Sequence, residues 1–423
     1  MIVIPQRVQS VDLKMTAPPS KSYTHRALIA GALASGTTEI QNPLDADDTR
    51  LTAAALRALG VHVEDRKGTI HITGCDGEIP DTGDTVLDLD NSGTSLRLLA
   101  SLALLCRHPV ILTGSARMQE RPIGPLADAL SAIGGFVEFL KTPGYPPVRV
   151  SGKMEGGAVT IDGSVSSQFI SSILMAAPYA RRDVDVTIPA PPASASYLDI
   201  TVDVMQAFSG RVRRTGYERF VVSTKDRYQG RTYAIEGDYS SASYFFAIAA
   251  ICGGRVTVEN LVPGSVQGDR RFLAALTAMG CRVIYGERAV TVERSGDLRG
   301  ITFDMSASPD TVQTLCMVAA MAKTPTTITG IGHLKFKESD RITGTAERLR
   351  ALGGHVDVGN DYLTITPAPL HGGTIEPAND HRTAMSFGVL GLGTGEITIM
   401  DAGCVNKSFP GFWDMLKRAG VEV

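Results

Sequence analysis

A chain of 423 residues with 41 basic and 44 acidic side chains carries a net charge of −3, with 43% hydrophobic and 20% charged residues. At roughly 100–200 residues per domain this length makes two to four domains, and the composition excludes general disorder. A near-neutral balance speaks against a general nucleic-acid binder, and six cysteines without a CxxC pair exclude the usual zinc and disulfide patterns.

The chain opens on MIVIPQRVQS, a strand-like stretch interrupted by Pro5 and Arg7. It has neither an apolar signal core nor transit-peptide character, and no run of about 18 apolar residues follows anywhere, so no membrane span is expected. The expectation is a cytoplasmic protein whose cysteines are reduced and mostly buried.

Six apolar helices follow, each behind a polar opener: SKSYTHRALIAGALASG from Ser20, NSGTSLRLLASLALLC from Asn91, SSQFISSILMAAPYA from Ser166, DYSSASYFFAIAAICGG from Asp238, PDTVQTLCMVAAMAK from Pro309 and NDHRTAMSFGVLGLG from Asn379. Counted at Ser20, Asn91, Ser166, Asp238, Asp310 and Asp380, the steps are 71, 75, 72, 72 and 70. A β-branched stretch comes after each. In phase with these runs, a second pattern places an apolar residue, a small residue four on, and a valine three further. It reads Leu56-Gly60-Val63, Leu130-Gly134-Val137, Met205-Ser209-Val212, Leu276-Gly280-Val283, Leu349-Gly353-Val356 and Leu416-Gly420-Val423. This is the signature of a helix ending at a glycine C-cap and turning into a strand. The unit is therefore buried helix, strand, connection, amphipathic helix, strand, six times over.

The openers carry the chemistry. Ser, Asn and Asp are N-cap residues, and a helix start presents free N–H groups and a partial positive charge that suit an anion. In PPSKSYTHRA, Ser20 or Ser22 caps, Lys21 adds a charge, and Arg26 lies one turn beyond Ser22 on the same face. NSGTSLR offers Gly93 for close approach, the Thr94 hydroxyl and Arg97. Arg121 stands just before a Pro-started helix in ERPIGPLADAL, and SSQF supplies Ser166, Ser167 and Gln168. KFKESDR mixes Lys335, Lys337, Glu338, Asp340 and Arg341 within seven residues, a run that taken alone reads as a solvated face. NDHR sets Asp380, His381 and Arg382 at a helix start, and Lys407 sits in a loop before the last helix. Taken singly, most of these segments are equally well read as ordinary caps and surface charges. No HExxH, P-loop or metal-ligand spacing occurs, and GLGTG at 391–395 follows a helix where a dinucleotide loop would precede one.

Jointly, PPSKSYTHRAL, NSGTSLR, ERPIGPL, SSQFISSILMAAP, EGDYSSASYF, KESDRI, NDHRTAMSF and NKSFPGFW run in order over nearly the whole chain. In them the chain resembles the 5-enolpyruvylshikimate-3-phosphate synthase family. The resemblance implies an α/β (α+β) protein, a two-domain inside-out α/β barrel of six βαβαββ-like repeats, three per domain. Residues 19–233 would form one domain and 1–18 with 234–423 the other, with the active site in the cleft between them. The reaction implied is transfer of the enolpyruvyl group of phosphoenolpyruvate to the 5-hydroxyl of shikimate 3-phosphate, by addition and elimination, without cofactor or metal, in a monomer with no nucleic-acid or membrane partner. The resemblance also implies inhibition by glyphosate at the phosphoenolpyruvate site.

Residue by residue, the resemblance assigns shikimate 3-phosphate to Lys21, Ser22, Arg26, Ser166, Ser167, Gln168, Ser194, Tyr197, Asp310 and Lys337. It assigns phosphoenolpyruvate to Lys21, Gly93, Arg121, Gln168, Arg341, Arg382 and Lys407. Asp310, Glu338 and Lys21 share the acid–base work, while Asn91, Thr94, Arg97, His333 and His381 complete the set. His333 departs from the asparagine often found in the family, and NSGTSLR departs from the commoner NAGTAMR while keeping Asn91, Gly93, Thr94 and Arg97. Two rivals are weighed against this reading. UDP-N-acetylglucosamine enolpyruvyl transferases usually carry a cysteine before the Arg-Pro pair, and GSARMQERP has none. RNA 3′-phosphate cyclase-like proteins contain related units, but the charge of −3 does not suit them.

Overall fold

The computed structural model describes residues 1–418. The chain divides into two compact units, one made of Met1–Pro19 with Glu236–Val423, the other of Ser20–Ile235. Among the described residues, no helix is long and apolar enough to cross a membrane.

Each unit contains three small sheets, and the sheets share one plan. Val110–Thr113 pairs parallel with Thr85–Asp88 and antiparallel with Val148–Gly152, which pairs antiparallel with Gly135–Phe139 at the edge. The same order recurs with Val184–Thr187 and Thr326–Thr329 in the second position. A parallel strand followed in sequence by a helix and its neighbour is a right-handed βαβ crossover by default, so the repeat is a βαβαββ unit.

Two repeats exchange their first strands. Val11–Thr16 comes just before the helix Lys21–Leu33, yet it pairs with Gly254–Glu259, more than 200 residues away. Thr232–Ala234 comes just before the helix Tyr239–Cys252, yet it pairs with Thr37–Gln41. Among the described residues the sixth sheet has three strands, and Ile2–Ile4 closes it against Ile397–Ile399.

The turn after each amphipathic helix explains the glycine pattern. Gly60, Gly134, Gly280 and Gly353 have φ of 83°, 103°, 108° and 90°, a region that costs a side chain strain. Ser209, the one copy without glycine, adopts the same conformation at φ 74°. In the sixth copy Gly420 and Val423 lie outside the described residues.

The six apolar helices are Lys21–Leu33, Gly93–Leu102, Ser167–Ala176, Tyr239–Cys252, Val312–Ala320 and His381–Thr394, and nearly every residue in them is buried. Three form the core of each unit. Burial removes the apolar surface of both helix faces from water, at about 25 cal/mol per Å², and leaves no solvated stripe. The few polar residues inside pair across helices at equivalent repeat positions. Ser101 Oγ meets Ser172 Oγ at 2.7 Å, and Thr314 meets Ser243 and Ser386 at 3.4 Å. Equivalent positions meet only if the three helices run the same way, so their N-terminal ends gather at one end of each unit.

All six cysteines are free. Burial holds the thiols protonated, with Cys106, Cys252, Cys316 and Cys404 pushed up to about 12.

Candidate functional site

In the unit Ser20–Ile235, Arg26 on the first buried helix reaches Ser171 on the third, and Arg97 on the second reaches Gln168 at the start of the third. Arg26 points inward. Its Nε donates to Thr201 Oγ1 at 2.8 Å, Nη1 to the Ser22 carbonyl at 3.0 Å, and Nη2 to Ser171 Oγ and the Tyr197 carbonyl, both at 3.3 Å. All four acceptors are neutral. Burial pulls Arg26 down to about 10, only partly opposed by Tyr197 and Tyr23. Arg97 Nη1 donates to Gln168 Oε1 at 2.8 Å and its guanidinium lies 5.3 Å from the Phe169 ring centre. Gln168 Nε2 donates to Thr94 Oγ1 at 2.9 Å, so both ends of its amide are oriented.

Lys21 is paired with buried Asp48, Nζ to Oδ2 at 3.0 Å. Ser20 occupies the N-cap position, but its hydroxyl makes no capping bond and is buried without a partner. The expected capping by Ser20 or Ser22 is thus replaced by an open helix start. At the next helix the cap is Ser92, one residue after Asn91, and it accepts from Ser95 N. Asn91 instead receives Arg121 Nη1 on its carbonyl at 3.2 Å and on Oδ1 at 3.3 Å. Gly93 lies against that guanidinium: a Cβ there would come 2.6 Å from Arg121 Nη2 and 2.7 Å from Cζ. Ser166 does cap its helix, accepting from Gln168 N, and Ser167 donates its N–H to the Ala193 carbonyl. The neighbouring Ser194 is buried at a left-handed φ of 58°.

In the other unit, Asp310, Glu338, Arg341, Asp380 and Arg382 form one ion network. Asp310 lies in a 3-10 turn, Pro309–Thr311, and so does not cap the helix after it. Its carboxylate receives Arg382 Nη2 at 2.6 Å and Arg341 Nη1 at 3.3 Å. Arg341 Nη2 donates to Glu338 at 2.7 Å, and its Nε donates to Asp380 at 2.8 Å. Arg382 is further held by Ser240 Oγ at 3.2 Å and the Tyr244 hydroxyl at 3.4 Å. The charge run KFKESDR is therefore no solvated face: the Arg341 side chain is 2% exposed. Burial alone would lower Arg341, but Asp380, Glu338 and Asp310 together hold it above its usual value. Burial likewise works to raise the Asp380 carboxyl, and Arg341 reverses the sign, leaving it below the carboxylate range.

His333 and Lys335 lie on the 3-10 turn Gly332–Phe336, with Lys337 next to it, and Lys407 ends another at Ala402–Lys407, where a loop was expected. Burial, then the Lys337 charge, pushes His333 down to about 3, so its imidazole is neutral. His381 is fully buried, with Nδ1 3.8 Å from Asp380. Among the described residues no cluster of three metal-ligating side chains occurs. Sequence reasoning passed over Asp48 and gave Asp380 only its place at a helix start, where it does cap. Both stood in view, in DADD and NDHR, but their partners lie 27 and 39 residues away.

Each unit carries cationic side chains near its helix starts, and in the unit with Glu236–Val423 carboxylates are held on the arginines, a chemistry suited to phosphate- and carboxylate-bearing ligands. A family model described as EPSP synthase (3-phosphoshikimate 1-carboxyvinyltransferase) matches residues 5–416. The chain belongs to the EPSP synthase family. It is 63% identical over 418 residues to the 3-phosphoshikimate 1-carboxyvinyltransferase of Methanoregula boonei, covering 99% of each chain. It is 62% identical to that of Methanoculleus marisnigri, covering 100% of each. The solved EPSP synthase of Acinetobacter baumannii superposes with a TM-score of 0.82 at 29% identity, covering 99% of this chain and 98% of that one. The EPSP synthase match therefore spans both units and every helix start described above.

Proposed function

We propose that the protein transfers the enolpyruvyl group of phosphoenolpyruvate to the 5-hydroxyl of shikimate 3-phosphate, giving 5-enolpyruvylshikimate 3-phosphate and phosphate. The observation that carries this reading is the full-length family match, coinciding with a buried arginine, Arg26, whose bonds all go to neutral oxygens. Such a cation is left for an anionic ligand to neutralise. Lys21, Ser22, Arg26, Ser166, Ser167, Gln168, Ser194 and Tyr197 would hold shikimate 3-phosphate, with Asp310 and Lys337. Lys21, Gly93, Arg121, Gln168, Arg341, Arg382 and Lys407 would hold phosphoenolpyruvate.

The proton accounting assigns the carboxylates. In the addition, the 5-hydroxyl loses a proton as its oxygen attacks C2, and the methylene carbon gains one. In the elimination, the new methyl group returns a proton and phosphate leaves. Asp310 takes the hydroxyl proton and Glu338 exchanges the proton at carbon. Lys21 supports the departing phosphate, and neutral His333 serves as a hydrogen-bonding group. The reading carries with it a monomer in the cytoplasm that works without metal or organic cofactor.

The test is phosphate release by the purified protein. Release with phosphoenolpyruvate and shikimate 3-phosphate together, and not with either alone or with UDP-N-acetylglucosamine as acceptor, is expected. Release with the nucleotide sugar alone as acceptor would overturn the assignment.

A further inference from the structure

Arg341 has two usable edges, and they are filled unequally. The side edge, Nε with Nη2, lies against Asp380 at 2.8 Å to Oδ2 and 3.2 Å to Oδ1. The end edge, Nη1 with Nη2, is shared between Asp310 at 3.3 Å and Glu338 at 2.7 Å. The exposures differ in the same sense: Asp380 is 0% exposed, Glu338 10% and Asp310 18%. Asp380 is also tied down elsewhere. It accepts Ser339 Oγ at 2.9 Å and caps the helix His381–Thr394 through Arg382 N at 3.0 Å. One carboxylate thus fixes the Arg341 fork and the start of the helix that carries Arg382.

We propose that Asp380 is a positioning residue for the donor substrate, clamping the side edge of Arg341 so that the end edge is the one a substrate carboxylate takes. This rests on the proposed assignment of Arg341 to phosphoenolpyruvate. An arriving carboxylate competes for the N–H groups that Asp310 and Glu338 now use, because those two partners reach solvent and Asp380 does not. Bidentate pairing on a planar fork needs that fork held in one plane. Substrate binding then also detaches Asp310 and Glu338 from Arg341, at the stage when the reaction requires them for proton transfer.

Asp380→Asn tests this without removing the helix cap, since asparagine caps about as well as aspartate. Asp380→Ser, also a capping residue, is the second variant. Steady-state kinetics should show KM for phosphoenolpyruvate rising about 10–100-fold in both, at or below the cost of breaking a buried charged pair. The turnover number should stay within about threefold, and shikimate 3-phosphate affinity by calorimetry should be unchanged. Combined with Arg341→Lys, Asp380→Asn should add little further, because the fork it clamps is gone. Unchanged KM in both variants would overturn the proposal. A parallel loss of turnover and of affinity for both substrates would also overturn it, by marking Asp380 as structural. A wild-type protein that releases no phosphate from the two substrates would bring down the functional reading together with the proposal, so the two failures are distinguishable.

Discussion

Arg26→Met should separate binding from stability. Arg26 is fully buried and its four acceptors are uncharged. Its folded value of about 10, lowered from that of the free side chain, makes the charged form costly by about 3 kcal/mol, at ~1.4 kcal/mol per unit. The sign follows from linkage. Between those two values the unfolded chain binds the proton and the folded chain does not, so stability rises with pH only there. At neutral pH the full cost is present, offset by the hydrogen bonds. Removing the side chain strands no acceptor. Ser171 Oγ and Thr201 Oγ1 keep their mutual bond at 2.8 Å, and the Tyr197 carbonyl keeps Thr201 Oγ1 at 2.9 Å. Methionine refills the volume with a flexible apolar chain. The net change in unfolding free energy should therefore lie within about 1 kcal/mol, since a buried charge is weak evidence for stability. Ligand binding should suffer far more. Four of the five N–H groups are committed, and the remaining one on Nη1 is charge-assisted and desolvated. Its loss should weaken shikimate 3-phosphate by about 10²–10³-fold. Calorimetric titration and a melting curve on the same preparation decide the matter. Unaltered affinity, or a melting temperature lowered by many degrees, would refute the reasoning.

Gly93→Ala should move the Arg121 guanidinium, because the added Cβ would stand 2.6 Å from Nη2. An increase of about 10-fold in KM for phosphoenolpyruvate, worth ~1.4 kcal/mol, is expected with shikimate 3-phosphate binding intact, and equal KM values would exclude the displacement. With glycine in place, glyphosate should inhibit in competition with phosphoenolpyruvate; a lack of competition in the same assay would count against the donor site. Asp310→Ala should cut turnover by about 10²–10⁴-fold, the usual weight of a general base. It should not weaken phosphoenolpyruvate binding, since Arg341 and Arg382 lose a competing carboxylate; near-normal turnover would sink the role. His333→Asn should leave the pH–rate profile between pH 5 and 8 unaltered, because burial keeps His333 neutral down to about 3. In stability, the unfolded chain protonates near 6.5 and the folded one does not, so wild type should lose stability as pH falls below that value and the variant should lose less. A kinetic limb abolished by the substitution would show that His333 titrates.

What the sequence reveals and what it hides divide along contact distance. The six apolar helices and the turns behind them are local patterns. Periodicity places the first, and the demand for positive φ places the second, strongly enough that Ser209 adopts at 74° what glycine adopts elsewhere. Strand exchange is not local. Val11–Thr16 is adjacent in sequence to the first buried helix, and no propensity says that its partner is Gly254–Glu259. The site divides in the same way. Residue types at helix starts are legible because capping chemistry is local, and their sum identifies the family. Which side chain caps is decided by a single φ/ψ choice, so Ser92 takes the place of Asn91. Whether a charge is solvated depends on what lies across from it. KFKESDR has the composition of a surface run, and only Asp380, 39 residues on, and Asp310, 31 residues back, turn Arg341 into a buried hub. The repeat supplies the bridge between the two scales. Arg97 and Gln168 are 71 residues apart, and Asp310 and Arg382 are 72 apart, and both pairs touch. Residues near the starts of successive buried helices, about one repeat apart, thus become neighbours. In a chain of repeats, contacts between successive helices about one repeat apart become a question asked once and answered several times, and the polar chemistry collects near the helix starts, where backbone N–H groups gather.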